Sequence, residues 1–321
     1  MSTIFGPVPS RRLGRSLGID LLPHKTCSYN CVYCESGPTT SLTLERRVFV
    51  DPDTVLRELG DYLGQHPDKA DVLTFSGAGE PTLYLFLGHL IRRIKKDYPS
   101  YPLNVLTNGS LLWDPQVRRD LMEADRVIPS LDAAIEKVFR RVNRPHPSLE
   151  LSAILEGLRA FRHEYRGSMH VEVVLVRGIN DSREAIESLR AALDSLEPDR
   201  VELNTVVRPP AVQGIEGLNL DEMEEARRIL GPERTEIIGV FTHQPAMGSD
   251  PDLQDRVLAL VRRRPCSSDE MARSLGVALE ELNCAVKKLQ EDGKISQQRF
   301  GDRDFFISKK AGRGQSFGDF A

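Results

Sequence analysis

The 321 residues carry 43 Lys or Arg against 47 Asp or Glu, a formal net charge of −4, with 40% hydrophobic and 28% charged residues. This length suits one large domain of roughly 200–250 residues with a small appendage, and the charge makes no global case for nucleic-acid binding. No apolar run approaches the ~20 residues that span a bilayer, and the opening MSTIFGP lacks the basic and apolar segments of a secretory signal, so a cytoplasmic protein without membrane contact is expected.

Along the chain, short apolar or β-branched runs alternate with amphipathic stretches. Strands are expected over 17–22, 72–76, 103–107, 126–131, 170–176 and 200–206. Helices are expected over 53–63, 84–96, 115–123, 151–165, 182–196 and 221–230. Asp-Pro-Asp before Thr54 and Asn-Asp-Ser before Arg183 are helix-start signals. Strands alternating with helices imply a parallel sheet, and six such units are too few to close an eight-stranded barrel. The fold class expected is therefore α/β, an open partial (β/α)6 barrel over 1–240, with chemistry at the carboxyl ends of its strands.

The segment 241–252 reads as a linker rich in turn residues. Beyond it the pattern changes to a helix over 253–263, then a helix-turn-helix pattern over 267–275 and 282–292. A hairpin follows, turning at Gly301-Asp302. Residues 253–308 thus resemble a small winged-helix domain, and 309–321 a disordered tail.

Three of the five cysteines fall within eight residues, Cys27-Ser-Tyr-Asn-Cys31-Val-Tyr-Cys34, directly after the first expected strand. Three thiolates in one loop can ligate three irons of a cubane and leave the fourth iron open to an exogenous ligand. The competing reading is a zinc knot, for which His24 could supply the fourth ligand. Cys266 and Cys284 lie far downstream and read as buried thiols.

The CxxxCxxC spacing with an aromatic before its last cysteine resembles the signature of the radical S-adenosylmethionine (SAM) superfamily. That resemblance implies Cys27, Cys31 and Cys34 as ligands of one [4Fe–4S] cluster, with SAM on the open iron and Tyr33 beside its adenine. Ser76-Gly-Ala-Gly-Glu-Pro81 resembles the family's glycine-rich loop, which implies Gly77, Ala78, Gly79 and Glu80 near the SAM amino group; a tight strand-to-helix turn is the plainer alternative. Asn108, Ser130, Asp132 and Asn204, at or near later strand ends, match positions contacting SAM, although Asp132 is equally placed to cap a helix. Arg15, in the basic run before strand one, and Arg208, after the sixth strand, are candidates for an anionic substrate, with solvated surface arginines as the alternative.

The combination SRRLGRSLGID, CSYNCVYC and FSGAGEPTLY is most similar to the group that includes the tRNA wyosine-base synthases, although those carry a second cluster for which no cysteine triplet exists here. The implied activity is reductive cleavage of SAM to a 5′-deoxyadenosyl radical that abstracts hydrogen from substrate. A flavodoxin or ferredoxin would supply the electron. Two substrate classes stay open: RNA or a nucleotide, and a peptide or protein held by the winged helix. A third reading, from another class, is an iron–sulfur or zinc redox-responsive DNA-binding regulator. The C-terminal segment has only a small excess of basic residues, which does not favour nucleic acid.

Overall fold

The computed structural model describes residues 2–10, 14–67, 69–238, 253–309 and 315–316. The expected linker 241–252 lies outside the described residues, as does most of the expected tail.

One eight-stranded sheet dominates the structure. Its strands are β1 (Ile4–Ser10), β2 (Gly14–Ile19), β3 (Val72–Phe75), β4 (Leu103–Thr107), β5 (Arg126–Pro129), β6 (Ser168–Leu175), β7 (Arg200–Thr205) and β8 (Thr235–Ile237), hydrogen-bonded in that order. β1 is antiparallel to β2, and every later pairing is parallel. Helices α1 (Pro52–Gln65), α2 (Leu87–Asp97), α3 (Pro115–Leu121), α4 (Glu136–Val142), α5 (Leu151–Glu164), α6 (Arg183–Leu196) and α7 (Leu220–Leu230) fill the crossovers. The sheet therefore gains a strand at each edge beyond the six expected. β1 hides behind Pro7 and Pro9, which read as loop residues, and β8 is three residues long.

Register explains which face buries what. Leu17, Leu73, Val105, Val127, Val171 and Leu203 lie on one face, fully buried under the helices, each contributing about 1.5–3 kcal/mol of burial. Residues of the opposite parity are polar: Ser16, Thr74, Asn104, His170, Glu172, Glu202 and Asn204. In parallel ladders paired residues share a face, and Thr74 pairs with Asn104 and Glu172 with Glu202. Several of these residues, with Leu106 and Val174, line a cavity of about 320 Å³. A sheet face this polar is not a folding core, because burying such groups costs free energy unless each is paired. Several of its polar groups face the cavity instead.

Beyond residue 252 the described chain forms α8 (Leu253–Arg263), α9 (Ser268–Leu275), α10 (Leu279–Glu291) and an antiparallel hairpin of β9 (Ile295–Phe300) and β10 (Arg303–Ser308). α9 begins with a reciprocal Ser267–Glu270 capping box and ends at Gly276 in the left-handed region. These elements share a separate apolar cluster, against which Val8 of β1 packs. Gln315–Ser316 pairs in parallel with Val212–Gln213. Among the described residues, no helix is long and apolar enough to cross a membrane.

Candidate metal and cofactor site

The cysteine loop leaves the carboxyl end of β2 and is stitched down on two sides. Lys25 N–H donates to Ala78 O, Glu80 N–H to Thr26 O and Thr43 N–H to Cys27 O. On the other side, Asn30 and Val32 donate to the backbone of residues 142–144, and His146 donates to Ser28 O. Tyr29 and Val32 are buried, and the Tyr29 ring meets Phe139 edge-on at 5.5 Å. Backbone bonds and two apolar anchors thus fix a loop with little regular structure of its own.

Each cysteine sulfur meets its own nitrogen donor. Asn108 Nδ2 lies 3.5 Å from Cys27 Sγ, Asn143 Nδ2 lies 3.5 Å from Cys31 Sγ, and Lys25 Nζ lies 3.0 Å from Cys34 Sγ. All three thiols are free. Burial pushes the Cys27 thiol up to about 11, and burial followed by the nearby Asp132 charge raises Cys31 well above its ordinary value. Burial by itself lowers Lys25, but the cysteines facing it raise it on balance. Buried thiolates need a cation to pair with them, and cluster iron is one. Among the described residues, no three His, Cys, Asp or Glu side chains form a group that could hold a single metal ion. A cubane distributes its ligands over several irons, so three sulfurs that each have their own nitrogen neighbour fit a cluster better than one tetrahedral zinc.

The strand-end motifs hold this loop in place. Glu80 is buried and accepts from Thr82 N–H and Oγ1–H, Thr107 Oγ1–H and Asn108 N–H. Burial raises its carboxyl, and these four donors oppose the rise. The Asn108 side chain donates to Ser28 Oγ at 2.8 Å as well as reaching Cys27. Gly79 must be glycine, because a Cβ there would stand 2.4 Å from Thr26 O. Gly77 faces the cavity, and a Cβ on it would stand 2.2 Å from the Asp20 carboxyl carbon. Ala78 is buried, and its N–H points to Asp20 Oδ2 at 3.4 Å.

Asp132 is also buried within the protein. It accepts from Tyr33 O–H at 2.5 Å, Asn143 Nδ2–H at 2.6 Å and Val174 N–H at 2.8 Å. Burial raises its carboxyl to about 6 against the pull of these donors. Tyr33 lines the cavity beside Cys34, and Asn204 lines the facing wall, with its Nδ2 3.3 Å from Glu172. Ser130 is half-buried at the end of β5, where its N–H donates to Thr107 O.

The two candidate arginines part company. Arg208 lines the cavity and is 2% exposed, with Nη1 on Glu35 at 2.7 Å and Nη2 on Glu270 of α9 at 2.8 Å. Arg15 lies at the amino end of β2, the far end from the cysteine loop, and pairs with Asp71 at 2.7 Å. The structure does not bring Arg15 to the site.

Five residues of the site escape the sequence reading: Lys25, Asn143, Glu172, Asp20 and Arg263. The register of β6 contains a signal for Glu172, an acid two residues after His170 and so on the same face of a mostly apolar strand. Leu260, Arg263 and Arg264 of the C-terminal unit also line the cavity. That unit therefore does not stand apart from the mouth of the barrel, as a free-standing appendage would.

Residues 21–189 match the family model described as the Radical SAM superfamily. Over 308 residues the chain is 34% identical to UPF0026 protein MJ1312 of Methanocaldococcus jannaschii, covering 92% of this chain and 95% of that protein. Its fold is similar to that of a radical SAM methyltransferase from Sphaerobacter thermophilus, with a TM-score of 0.54 at 16% identity over 69% of this chain and 65% of that one. It is likewise similar to TYW1 with a lysine–pyruvate adduct bound, with a TM-score of 0.50 at 21% identity over 67% of this chain and 72% of that one. On the family match, carried by the segment that holds the three cysteines and the glycine-rich loop, the chain belongs to the radical SAM superfamily, enzymes built on a [4Fe–4S] cluster and SAM.

Proposed function

We propose that Cys27, Cys31 and Cys34 hold the single cluster and that the adjoining cavity of about 320 Å³ receives SAM. The observation that carries this reading is the set of three separate donors on three sulfurs, at the edge of a chamber whose far wall is polar. When bound, the cluster and SAM supply a one-electron reduction and a hydrogen-abstracting radical. The chain's own residues bind, orient and shield. Gly77 lets the backbone approach the ligand, Tyr33 is locked by Asp132 against the adenine side, and Asn204 with Glu172 offers hydrogen-bonding groups opposite the cluster. Glu80 acts through Asn108 and the loop backbone and is a positioning residue. A small redox protein of the flavodoxin or ferredoxin type supplies the electron.

For the substrate we favour a nucleotide or an RNA base, supported by the resemblance of Gly79–Tyr84 to the wyosine-base synthases. One observation favours a second reading, a peptide. In the hairpin, β10 bridges to Cys266 through Phe306, and among the described residues β9 has no strand on its other side, an edge suited to strand addition. On either reading we take residues 253–308 as a winged-helix-like reader.

Anaerobic reconstitution followed by reduction tests the core of the proposal. Iron and sulfide should bind at about four each per chain, and SAM should yield 5′-deoxyadenosine and methionine. Stoichiometric zinc with no cleavage product would overturn it. Nucleoside digests of RNA from cells with and without the gene then separate the substrate classes. A missing modified nucleoside supports the first reading, and unchanged nucleosides beside an altered peptide support the second.

A further inference from the structure

The last turn of α8 reaches the base of the glycine-rich loop. Arg263 is largely buried, its guanidinium lies 4.2 Å from the centre of the Phe5 ring, and its Nη2 donates to Ser2 O at 3.1 Å. Phe5 itself covers Gly18, where a Cβ would stand 2.1 Å from the ring. These contacts explain how α8 docks on the first strand. They do not explain Asp20.

Asp20 follows β2, lies against Gly77 and is 11% exposed. Its Oδ2 takes the long bond from Ala78 N–H and stands 3.4 Å from Arg263 Nε, while its Oδ1 is buried without a hydrogen-bond partner. A buried carboxylate costs free energy unless a cation and donors answer it. Here the cation comes from a residue more than two hundred positions away. The acid in turn supports the loop that borders the chamber at Gly77.

We propose that Arg263 is a positioning residue for SAM, holding Asp20 so that Asp20 fixes Gly77 and Ala78 at the chamber wall. The C-terminal unit then shapes the cofactor chamber as well as standing over its mouth. This rests on reading the chamber as the SAM site.

The test uses the full chain with its cluster reconstituted, and measures iron content and SAM affinity by equilibrium dialysis. Arg263→Ala should weaken SAM binding by roughly tenfold, the scale of coupling between neighbouring sites, with iron content unchanged. Arg263→Lys should restore part of the loss. Asp20→Asn should weaken binding comparably, and the double variant should lose no more than either single one. Wild-type affinity in Arg263→Ala, or fully additive losses, would overturn the inference and leave the site reading standing. A cluster-loaded wild type that binds no SAM would overturn both. Should Arg263→Ala fail to fold, Arg263→Lys and Asp20→Asn still decide the matter.

Discussion

Asn143 Nδ2 donates to the Asp132 carboxylate at 2.6 Å and stands 3.5 Å from Cys31 Sγ. One amide thereby joins the carboxyl end of the fifth strand to the cysteine loop. Asp132 in turn takes the Tyr33 hydroxyl from that same loop. Replacing Asn143 by Ala removes a donor to a ligating sulfur and one of three donors to a buried acid. Such donors raise cluster potentials, so the midpoint should fall by an amount on the order of tens of millivolts in an EPR-monitored titration. Stability should fall by about 1–3 kcal/mol. An unchanged midpoint would show that the Asn143 amide does not face the bound cluster.

Lys25→Met removes a positive charge 3.0 Å from Cys34 Sγ. The cluster carries net negative charge when its thiolates are bound, so losing the ammonium should make reduction harder and shift the midpoint downward. Lys25→Arg should shift it less. The Lys25 backbone sits at φ 59°, which costs a non-glycine residue free energy. Lys25→Gly should therefore recover some stability while losing the charge, and comparing it with Lys25→Met separates backbone from electrostatics.

Ligand assignment is tested by iron content. Cys27→Ala, Cys31→Ala and Cys34→Ala should each remove most of the cluster absorption. Cys266 is buried in the C-terminal core and Cys284 is exposed on α10. Changing both to Ser should leave iron at about four per chain. Loss of iron in that double variant would reveal a second site.

Asp132 predicts a pH dependence. Burial raises its carboxyl from 3.8 to about 6, so the folded state binds its proton more tightly than the unfolded state does. The stabilisation is fully present below about 3.8 and is lost as pH rises through about 6. Between pH 4 and 7 the wild type should lose about 2 kcal/mol relative to Asp132→Asn, measured by denaturant unfolding of reduced, metal-free protein. A difference that stays flat, or grows with pH, would refute the sign.

Much of this was legible from local pattern. The cysteine spacing, the glycine-rich turn and the strand-end asparagine each announce themselves within a few residues, and six parallel strands follow from apolar runs. What stayed hidden is long-range. Asn143 lies 112 positions from Cys31, and no periodicity links them. Lys25 looks like any surface lysine until the chain turns it inward onto Cys34. Glu172 lies in a strand recognised by its apolar run, because a barrel's polar inner face is obvious only once register is known. Arg15 misled for the converse reason: its neighbours in sequence lead to the site, but strand direction carries it to the opposite end.

The last prediction concerns Arg208, which joins Glu35, next to Cys34, to Glu270 on α9. It is 2% exposed, and the two carboxylates outweigh the burial that disfavours its charge. Removing one member of a buried ion network is far costlier than replacing the whole of it, because the remaining charges stay desolvated and unpaired. Arg208→Ala removes the cation that joins the two acids, leaving Arg264, 3.7 Å from Glu35, as the nearby positive charge, and buried Glu270 loses its direct ion pair; the cost should be about 3 kcal/mol. Much of that loss should appear as detachment of the C-terminal unit, seen as faster limited proteolysis between residues 238 and 253. Combining Arg208→Met with Glu35→Gln and Glu270→Gln removes the charges of these three residues while roughly keeping volume, leaving Arg264, 24% exposed, to solvent, and should return proteolysis close to the wild-type rate. If the triple variant is cleaved as fast as Arg208→Ala, the attraction among these three groups itself holds the unit in place, and unpaired buried charge is not the cause of its release.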